Sequence, residues 1–349
     1  MEKTNQNKNK DVLSVQKKLE LIKRNTEEVL GEEDLVNLLE EKETPLVYWG
    51  TAPTGRPHAG YLLAALKVAD LLKAGFKVKI LIADLHAALD NTPWLKLEYR
   101  YDYYSKIIPL LIKSIGVDTE KLEFIKGSEM QLKPEYMYDV LQLSSLVSIH
   151  DSSKAASEVV KQSENPRVSG LIYPLMQAVD EEYLQVDAQL GGTDQRKIMV
   201  LARENLPKIG YKERIEILNP MVPGLIGKKM SSSDEKSKVD LLDSPEDIKK
   251  KIKGADCVEG DTNNGVIAFV KYILMTLKSD KGEPFLVKRP EKYGGNLEYN
   301  TYEDLEKDFV EKKLHPLDLK NAVAEEIAEL LKPIREKEQE LSKIAEKGW

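Results

Sequence analysis

The sequence contains very little cysteine and histidine, and this scarcity limits the sites that the chain can build. One cysteine, Cys257, stands among 349 residues, so neither an internal disulfide nor a cysteine-cluster zinc site can form. Such usage is typical of a reducing compartment and predicts a cytoplasmic protein. The four histidines are widely scattered and indicate no metal site: His58, His86, His150 and His315.

Long apolar runs are also missing. No uncharged apolar run approaches the ~18 residues that a transmembrane helix needs, so no membrane association is expected. Residues 1–11 are polar and lack the apolar core of a signal peptide. We expect them to form a disordered leader.

An excess of positive charge is absent as well. The chain has 52 Lys and Arg against 59 Asp and Glu, which gives a net charge of −7. A broad basic surface for nucleic acid is therefore not expected. A hydrophobic content of 41% indicates a globular protein, and the length fits two domains at about 150 residues each. Composition alone predicts a soluble enzyme and nothing in it points to RNA.

Short apolar runs alternate with helical patterns over residues 12–240. The spacing predicts a helix over 61–74, and residues 12–39 also show helical spacing with a break near Gly31. The apolar runs predict buried strands at 46–49, 78–82, 123–125 and 215–218. This alternation predicts an α/β fold with a Rossmann-like, doubly wound parallel sheet, which binds ligands beyond the carboxyl ends of its strands.

The amino-acid composition of the chain changes after about residue 241. Segments rich in Lys and Glu with helical spacing predict a second, α-helical domain over 241–349. We therefore expect two domains with their boundary near residue 240.

The segment Gly50–Gly60 lies between the first predicted strand and the first predicted helix of the sheet. Its glycines and prolines predict a tight loop, and the helix behind it offers unpaired N–H groups to a phosphate. The imidazole of His58 is placed to donate a hydrogen bond there. An ordinary strand-to-helix turn with a capping histidine explains the same residues.

A second polar segment, Gly227–Asp234, contains two lysines followed by three serines. Lysine supplies a point charge and serine a small donor, so such a loop is suited to polyphosphate. A solvated surface loop is the alternative interpretation of this segment on its own.

The two segments together resemble the ATP-binding signatures of class I aminoacyl-tRNA synthetases. The His-x-Gly-His pattern reads His58-Ala59-Gly60-Tyr61 here, and the Lys-Met-Ser-Lys-Ser pattern reads Lys229-Met230-Ser231-Ser232-Ser233. A third segment narrows the resemblance, because Tyr173, Gln177 and Asp180 share one side of a helix. With Gly191–Lys197, this face is similar to the amino-acid pocket of the tyrosyl-tRNA synthetases, in their archaeal and eukaryotic cytoplasmic branch.

The resemblance implies a catalytic domain over 12–240 with an insertion at about 93–166, and an anticodon-binding domain over 241–349. It also implies a tyrosine site in which Tyr48 and Asp180 bind the substrate phenol. Around the substrate ammonium group it places Tyr173, Gln177 and Gln195. Phenylalanine would leave the two phenol-binding groups unpaired.

For ATP, the resemblance implies a site at the helix terminus and at the second signature. Contacts to ATP or its departing pyrophosphate are expected from Thr54, His58, Gly60, Gly192, Asp194, Lys229, Met230 and Ser231–Ser233. The tyrosine carboxylate would attack the α-phosphorus of ATP, and the tyrosyl group would then pass to tRNA(Tyr). No protein nucleophile is needed, and Mg²⁺ would accompany ATP without a dedicated protein cage, a tightly bound cofactor or a structural metal.

For tRNA, the resemblance implies that Arg196 reads the first base pair of the acceptor stem. The anticodon would be read by Tyr293, His315 and Asp318, since unpaired bases stack on aromatic rings and accept side-chain hydrogen bonds. A homodimer is implied too, with its surface in the insertion.

Two residues depart from the signatures. Tyr61 replaces the second histidine and Ser232 replaces the second lysine, so two donors to phosphate are lost. We expect Lys229 to carry more of the transition-state stabilisation, together with a bound monovalent cation. An unchanged adenylation rate in Lys229→Ala would refute this.

Three alternative functions remain at the level of sequence. A tryptophanyl-tRNA synthetase shares the fold, but Asp180 with Tyr48 suits a phenol better than an indole, which offers only an N–H donor. A small-molecule nucleotidyltransferase is disfavoured by the helical domain with Tyr293, His315 and Asp318. A catalytically idle RNA-binding relative is disfavoured by the complete pocket.

Overall fold

The computed structural model describes residues 13–160, 165–227 and 237–349. The expected leader, and Lys229, Met230, Ser231 and Ser232 of the second signature, lie outside the described residues. Among the helices of the described part, none is long and apolar enough to cross a membrane.

A six-stranded, mostly parallel sheet forms the centre of the first part of the chain. Its strand order is β1-β6-β5-β2-β3-β4, and only β1 runs antiparallel to its neighbour. The strands are β1 Glu28–Leu30, β2 Leu46–Thr51, β3 Lys77–Ile82, β4 Leu122–Lys126, β5 Ala188–Gly192 and β6 Ile215–Asn219. The four predicted strands and the doubly wound α/β class are confirmed. The chain order reverses between β2 and β5, which is where such sheets bind ligands.

Helices cover both faces of this sheet. They are α1 Val15–Lys23, α2 Glu32–Glu41, α3 Tyr61–Lys73, α4 Asp84–Leu89, α5 Leu97–Ser114, α6 Gly127–Gln131, α7 Pro134–Ser144, α8 Ile149–Ala156, α9 Ser169–Tyr183 and α10 Arg196–Asn205. One apolar core lies between the sheet and α3 and α5, and a second lies between the sheet and α7, α9 and α10. The segment expected as an insertion, 93–166, thus supplies edge strand β4 as well as helices α5 to α8.

The N-terminal region differs from the expected helical pattern. The prediction over 12–39 was wrong for 28–30, which form strand β1 and pair with β6. Its three residues are too few to show a strand periodicity, and the contacts that hold them, such as the ion pair of Glu28 with Arg196, come from segments distant in sequence.

Helices dominate the second part, as predicted from its sequence. They are α11 Pro245–Lys253, α12 Gly265–Phe269, α13 Met275–Lys281, α14 Tyr302–Val310, α15 Pro316–Arg335 and α16 Glu338–Gly348. A π-helical segment, Val270–Leu274, joins α12 to α13. One feature was not foreseen: a two-stranded antiparallel sheet of β7 Phe285–Val287 and β8 Leu297–Tyr299. Helices α15 and α16 pack on α5, which joins this part to the sheet.

Candidate active site

A cavity of about 510 Å³ opens at the carboxyl ends of β2 and β5, where the fold predicts a ligand site. Segments that are distant in sequence line it, among them β2, the loop and start of α3, the inner face of α9, and the ends of β5 and β6. The predicted residues among its lining are Tyr48, Thr54, His58, Gly60, Tyr173, Gln177, Asp180, Gly192, Asp194 and Gln195.

The closed end of the cavity holds Tyr48 and Asp180. Tyr48 is 1% exposed on β2, and its hydroxyl has no hydrogen-bond partner. Asp180 is equally buried on α9, and its Oδ1 accepts bonds from Gln131 Nε2 and Tyr136 Oη, both at 2.8 Å. Both donors reach Oδ1, so Oδ2 is left for a further donor.

Burial dominates the electrostatics of this end. It raises the pKa of Asp180 to about 7, although the hydrogen bonds from Gln131 and Tyr136 act in the opposite direction. The pKa of Tyr48 is raised well above its usual value, first by burial and then by the charge of Asp180. Tyr48 therefore keeps its proton and is a hydrogen-bond donor.

His86 is a further polar group behind Asp180. Its Nε2 lies 3.7 Å from Asp180 Oδ2, its Nδ1 lies 3.2 Å from Gln131 Nε2, and its ring meets Tyr173 edge-on at 4.6 Å. Burial lowers the pKa of His86 to about 4, so the ring is neutral. His86, Gln131 and Tyr136 had no role assigned from sequence, because no short motif places residues 86, 131 and 136 beside residue 180.

The polar face predicted on α9 is turned toward the cavity. Gln177 Nε2 donates to Gln195 Oε1 at 2.9 Å, and Tyr173 is buried beside them. Two amide oxygens in the cavity lining, Gln189 Oε1 and Asn219 Oδ1, are buried without a hydrogen-bond partner. They are additional candidate ligand contacts that sequence reasoning missed, since a single amide carries no motif.

His58 lies at the N-terminus of α3. Its Nδ1 accepts a bond from the Gly60 backbone N–H at 3.2 Å, which puts the remaining proton on Nε2. Burial, followed by the charge of Lys238, lowers the pKa of His58 to about 3. The neutral Nε2–H form is the one that can donate to a phosphate oxygen over the whole physiological pH range.

The loop before α3 is joined to the residues that follow the second signature. His58 forms a β-bridge with Asp240, and the N–H of Ala59 donates to the carbonyl of Val239 at 2.8 Å. The first signature is thus adjacent to Val239 and Asp240, which follow the second signature in sequence.

Tyr61, the first departure from the signatures, is held by protein contacts. Its hydroxyl lies 3.4 Å from Tyr104 Oη and 3.5 Å from Thr51 Oγ1, and its ring meets His58 edge-on at 5.2 Å. Tyr61 therefore packs against His58 at the position of the second histidine of the pattern.

The end of β5 carries two glycines, and side chains pack closely against both. A Cβ on Gly192 would lie 2.7 Å from Asp194 Oδ1 and 3.2 Å from Met221 Sδ. A Cβ on Gly191 would lie 2.6 Å from Met199 Cε. A Cβ at either position would therefore displace a side chain, Asp194 beside Gly192 and Met199 beside Gly191.

The residues expected to contact tRNA lie outside the cavity lining. Arg196, at the start of α10, forms a bidentate ion pair with Glu28 of β1 at 2.5 and 2.8 Å. Tyr293 is 61% exposed, and Lys292 Nζ lies 4.8 Å from the centre of its ring. His315 caps α15, because its Nδ1 accepts from the Leu317 N–H at 3.1 Å.

Arg289 links the loop that carries Tyr293 to the segment before His315. Its Nε donates to the carbonyl of Gly295 at 2.9 Å and its Nη1 donates to the carbonyl of Lys313 at 3.1 Å. Asp318 lies in the first turn of α15. The three residues expected at the anticodon thus belong to neighbouring surface segments.

A metal site built from protein ligands is absent over 13–160, 165–227 and 237–349, where no group of three His, Cys, Asp or Glu side chains is suited to an ion.

Residues 40–332 match the family described as tRNA synthetases class I (W and Y). The chain is 54% identical to the cytoplasmic tyrosine–tRNA ligase of Gallus gallus, over 96% of this chain and 63% of that protein. It is 49% identical to the cytoplasmic tyrosine–tRNA ligase of Saccharomyces cerevisiae, over 94% of this chain and 86% of that protein. The chain therefore spans less than two thirds of the length of the vertebrate protein.

Solved structures show the same similarity. The tyrosyl-tRNA synthetase of Archaeoglobus fulgidus in complex with L-tyrosine superimposes with a TM-score of 0.86 at 38% identity, over 93% of this chain and 99% of that chain. The tryptophanyl-tRNA synthetase of Aeropyrum pernix superimposes with a TM-score of 0.68 at 19% identity, which shows a common fold.

Proposed function

The chain belongs to the class I tRNA synthetases, within the tyrosyl-tRNA synthetase family, and we propose that it is a tyrosine–tRNA ligase. It activates L-tyrosine with ATP and transfers the tyrosyl group to tRNA(Tyr). One observation carries this proposal: the unpaired hydroxyl of Tyr48 faces the same closed cavity end as Asp180.

The closed end suits a phenol because a phenol is both a donor and an acceptor. The substrate hydroxyl donates to Asp180 Oδ2, and Tyr48 donates to the substrate oxygen. An indole N–H would satisfy Asp180 but would leave Tyr48 buried without a partner, at a cost of about 1–3 kcal/mol. This disfavours a tryptophanyl-tRNA synthetase.

The other residues that bind the substrate tyrosine lie further out in the cavity than the phenol site. Tyr173, Gln177 and Gln195 bind the ammonium group, since a phenol oxygen and two amide oxygens are neutral acceptors for it. The bond between Gln177 and Gln195 orients both amides before the substrate arrives. The substrate carboxylate then points toward the mouth, where ATP enters.

ATP binds between the start of α3 and the end of β5. His58 donates from Nε2 to a phosphate, the backbone at Gly60 contributes the helix terminus, and Thr54 lies near the departing pyrophosphate. Gly192 and Asp194 receive the ribose. The role proposed for Lys229, Met230, Ser231 and Ser232, to close over the phosphates, concerns residues outside the described part.

The chemical step needs no protein nucleophile. The carboxylate oxygen of tyrosine forms a bond to the α-phosphorus, and the bond from that phosphorus to pyrophosphate breaks. Catalysis comes from positioning and from donors aimed at the phosphates. Mg²⁺ enters as part of the ATP substrate and needs no protein cage.

Transfer to tRNA requires two contacts far apart on the molecule. Arg196 at the rim of the sheet reads the acceptor stem, and its ion pair with Glu28 opens or reorients when tRNA binds. Tyr293, His315 and Asp318 bind the anticodon bases. A nucleotidyltransferase of small molecules would have no use for this second surface.

We also propose a cytoplasmic homodimer. Large apolar side chains are exposed in the segment 93–166 and predict a protein interface there. Its exposed members include Trp94, Leu95, Leu132, Tyr138, Leu141, Leu146 and Ile149. Tyr138 and Leu141 are three residues apart on α7, so they share one face of that helix.

Pyrophosphate exchange tests the proposed function. The chain is incubated with ATP and labelled pyrophosphate, and with tyrosine, tryptophan or no amino acid. We expect exchange with tyrosine alone. Exchange with tryptophan would favour the related synthetase, exchange without an amino acid would favour a nucleotidyltransferase, and none at all would favour an idle RNA-binding relative.

A further inference from the structure

Beneath the tyrosine site, three neighbouring strands place polar side chains in one row. Tyr48 on β2 is in register with Gln189 on β5, which is in register with Glu216 on β6. Residues in register on adjacent strands point to the same face of a sheet. Helix α9 covers this face and brings Asp180 and Glu181 to it.

Glu181 and Glu216, which we call the acid pair, meet between α9 and β6. Both are 0% exposed. None of their four carboxylate oxygens accepts a hydrogen bond from a donor among the described residues. A buried carboxylate without donors is costly, so this contact needs a proton between the two groups.

The nearest cations cannot replace that proton, because both have other partners. Arg203 donates to Glu213 at 2.8 Å and to a backbone carbonyl. Arg214 donates to Glu182, and to the carbonyl of Val186 at 2.9 Å. Each arginine therefore affects the acid pair only through the electrostatic field of its charge.

Burial raises the pKa of both carboxyl groups of the acid pair, and the charge of Glu216 raises that of Glu181 further. Arg203 on α10 and Arg214 before β6 oppose this increase, whereas Asp180 on α9 strengthens it for Glu181. Tyr48 on β2 faces the same cluster and stays neutral. The cluster thus has one proton that is retained at neutral pH and released to solvent at alkaline pH.

We propose that the acid pair is a positioning element of the tyrosine site: its shared proton holds α9 against β6 and so places Asp180 opposite Tyr48. This inference rests on the proposed function. Release of the proton puts like charges on Glu181, Glu216 and Asp180, and their repulsion separates α9 from the sheet. Because α9 also carries Tyr173 and Gln177, the affinity for tyrosine then falls.

The test compares tyrosine binding by the wild type and by Glu216→Gln, without ATP, from about pH 6.5 to about pH 8.5. The amide keeps the size of the carboxyl group but cannot ionise. We expect the ratio of the variant Kd to the wild-type Kd to fall by about tenfold over this range, which corresponds to about one pKa unit. The ratio cancels the titration of the substrate, which is the same in both experiments.

Glu204→Gln is the matched control, because it removes the same charge from an exposed position on α10. Its Kd ratio should not change with pH. An unchanged ratio for Glu216→Gln would overturn the inference, whereas absence of tyrosine binding by the wild type at every pH would refute the proposed function itself.

Infrared spectroscopy of the wild type gives a second measurement that does not depend on the folding of one variant. We expect absorption bands of buried protonated carboxyl groups that disappear at alkaline pH, from Asp180 and from the acid pair. The band of the acid pair should remain in Asp180→Asn and in Glu204→Gln and be altered in Glu181→Gln. Absence of any such band from Asp180→Asn at about pH 6.5 would exclude the shared proton.

Discussion

At the scale of single residues, the informative feature of the site is hydrogen-bonding capacity that the protein leaves unused. Buried polar groups in folded proteins almost always have partners. Tyr48, Gln189 and Asn219 each have a buried polar atom without one, and all three line the same cavity. A polar ligand that pairs with them gains the bonds without a competing protein donor, which is the physical basis of specificity here.

Tyr48→Phe separates binding from stability. The change removes a hydroxyl that is buried and unpaired in the unliganded protein, so we expect no loss in the free energy of unfolding, measured with urea. The bound substrate tyrosine loses one hydrogen bond to the protein. The Kd for tyrosine should therefore rise about tenfold, which corresponds to about 1.4 kcal/mol. A destabilised variant with unchanged affinity would show that the hydroxyl serves the fold.

Asp180→Asn tests the cost of burying a carboxylate. The pKa of Asp180 is raised to about 7 in the folded chain, against about 3.9 when unfolded. Its contribution to stability is therefore fully present below about pH 4 and is lost as the pH rises through about 7. Asparagine does not titrate, so the variant should gain about 2–3 kcal/mol relative to the wild type between about pH 5 and about pH 8.5.

Urea unfolding at both pH values measures this gain, with Glu204→Gln as the control. If the difference in the free energy of unfolding between variant and wild type did not change with pH, this would contradict the raised pKa of Asp180. Tyrosine affinity should fall in the variant, since an amide cannot offer the same charged acceptor.

At the scale of elements, the site depends on how strands and helices end. Helix α3 begins at the cavity with His58 and Gly60 before it, and β5 ends there in two glycines. Side chains at these ends face the ligand, whereas residues one turn or one strand position further in belong to the core. Sequence alone located both ends because glycine and proline mark them.

Gly192→Ala tests the end of β5. The new Cβ would lie 2.7 Å from Asp194 Oδ1, so the Asp194 side chain must move. We expect the KM for ATP in pyrophosphate exchange to rise about tenfold, which corresponds to about 1.4 kcal/mol, while the Kd for tyrosine stays within about twofold.

Gly254→Ala at the end of α11 is the control, because its Cβ would have ordinary contacts no closer than 3.5 Å. An equal loss of affinity for tyrosine and ATP in Gly192→Ala would indicate general distortion instead of a local change at the ribose.

At the scale of the whole molecule, the surfaces proposed for dimerisation and for anticodon binding lie outside the cavity lining. The exposed apolar side chains of the segment 93–166 face solvent in one chain, and the candidate anticodon residues lie on the helical part. Helix α5 belongs to the segment 93–166 and packs on the sheet. Helices α15 and α16 of the helical part pack on α5 in turn. Helix α5 also contacts the loop before α3, where the hydroxyl of Tyr104 donates to the carbonyl of Gly55 at 2.7 Å.

Ile149→Glu tests the proposed dimer surface. Ile149 is 76% exposed at the start of α8, and a buried unpaired carboxylate at an interface is strongly unfavourable. We expect sedimentation velocity to show a dimer for the wild type and a monomer for the variant. Val258→Glu, 68% exposed in the helical part, should stay dimeric. If Ile149→Glu remained dimeric, the dimer interface would have to lie elsewhere on the molecule.

The sheet and most of its contents could be predicted, because buried parallel strands are continuous apolar runs between turn residues. Strand β1 and the β7–β8 sheet could not, since strands of three residues carry no readable period. The cavity residues near a motif, such as His58 and Gly192, were predicted. Gln131, Tyr136 and Glu216 were not, because nothing in their local sequence indicates what they will meet.

The sequence by itself determined the class of fold, the family, and which helix face carries Tyr173, Gln177 and Asp180, since these follow from periodicity and motif. Only the tertiary structure decided the charge state of the site. Packing α9 on the sheet buries Asp180 beside Gln131, Tyr136 and His86, and presses Glu181 against Glu216. Burial and contact between distant segments change a pKa, and neither is written in the order of the residues.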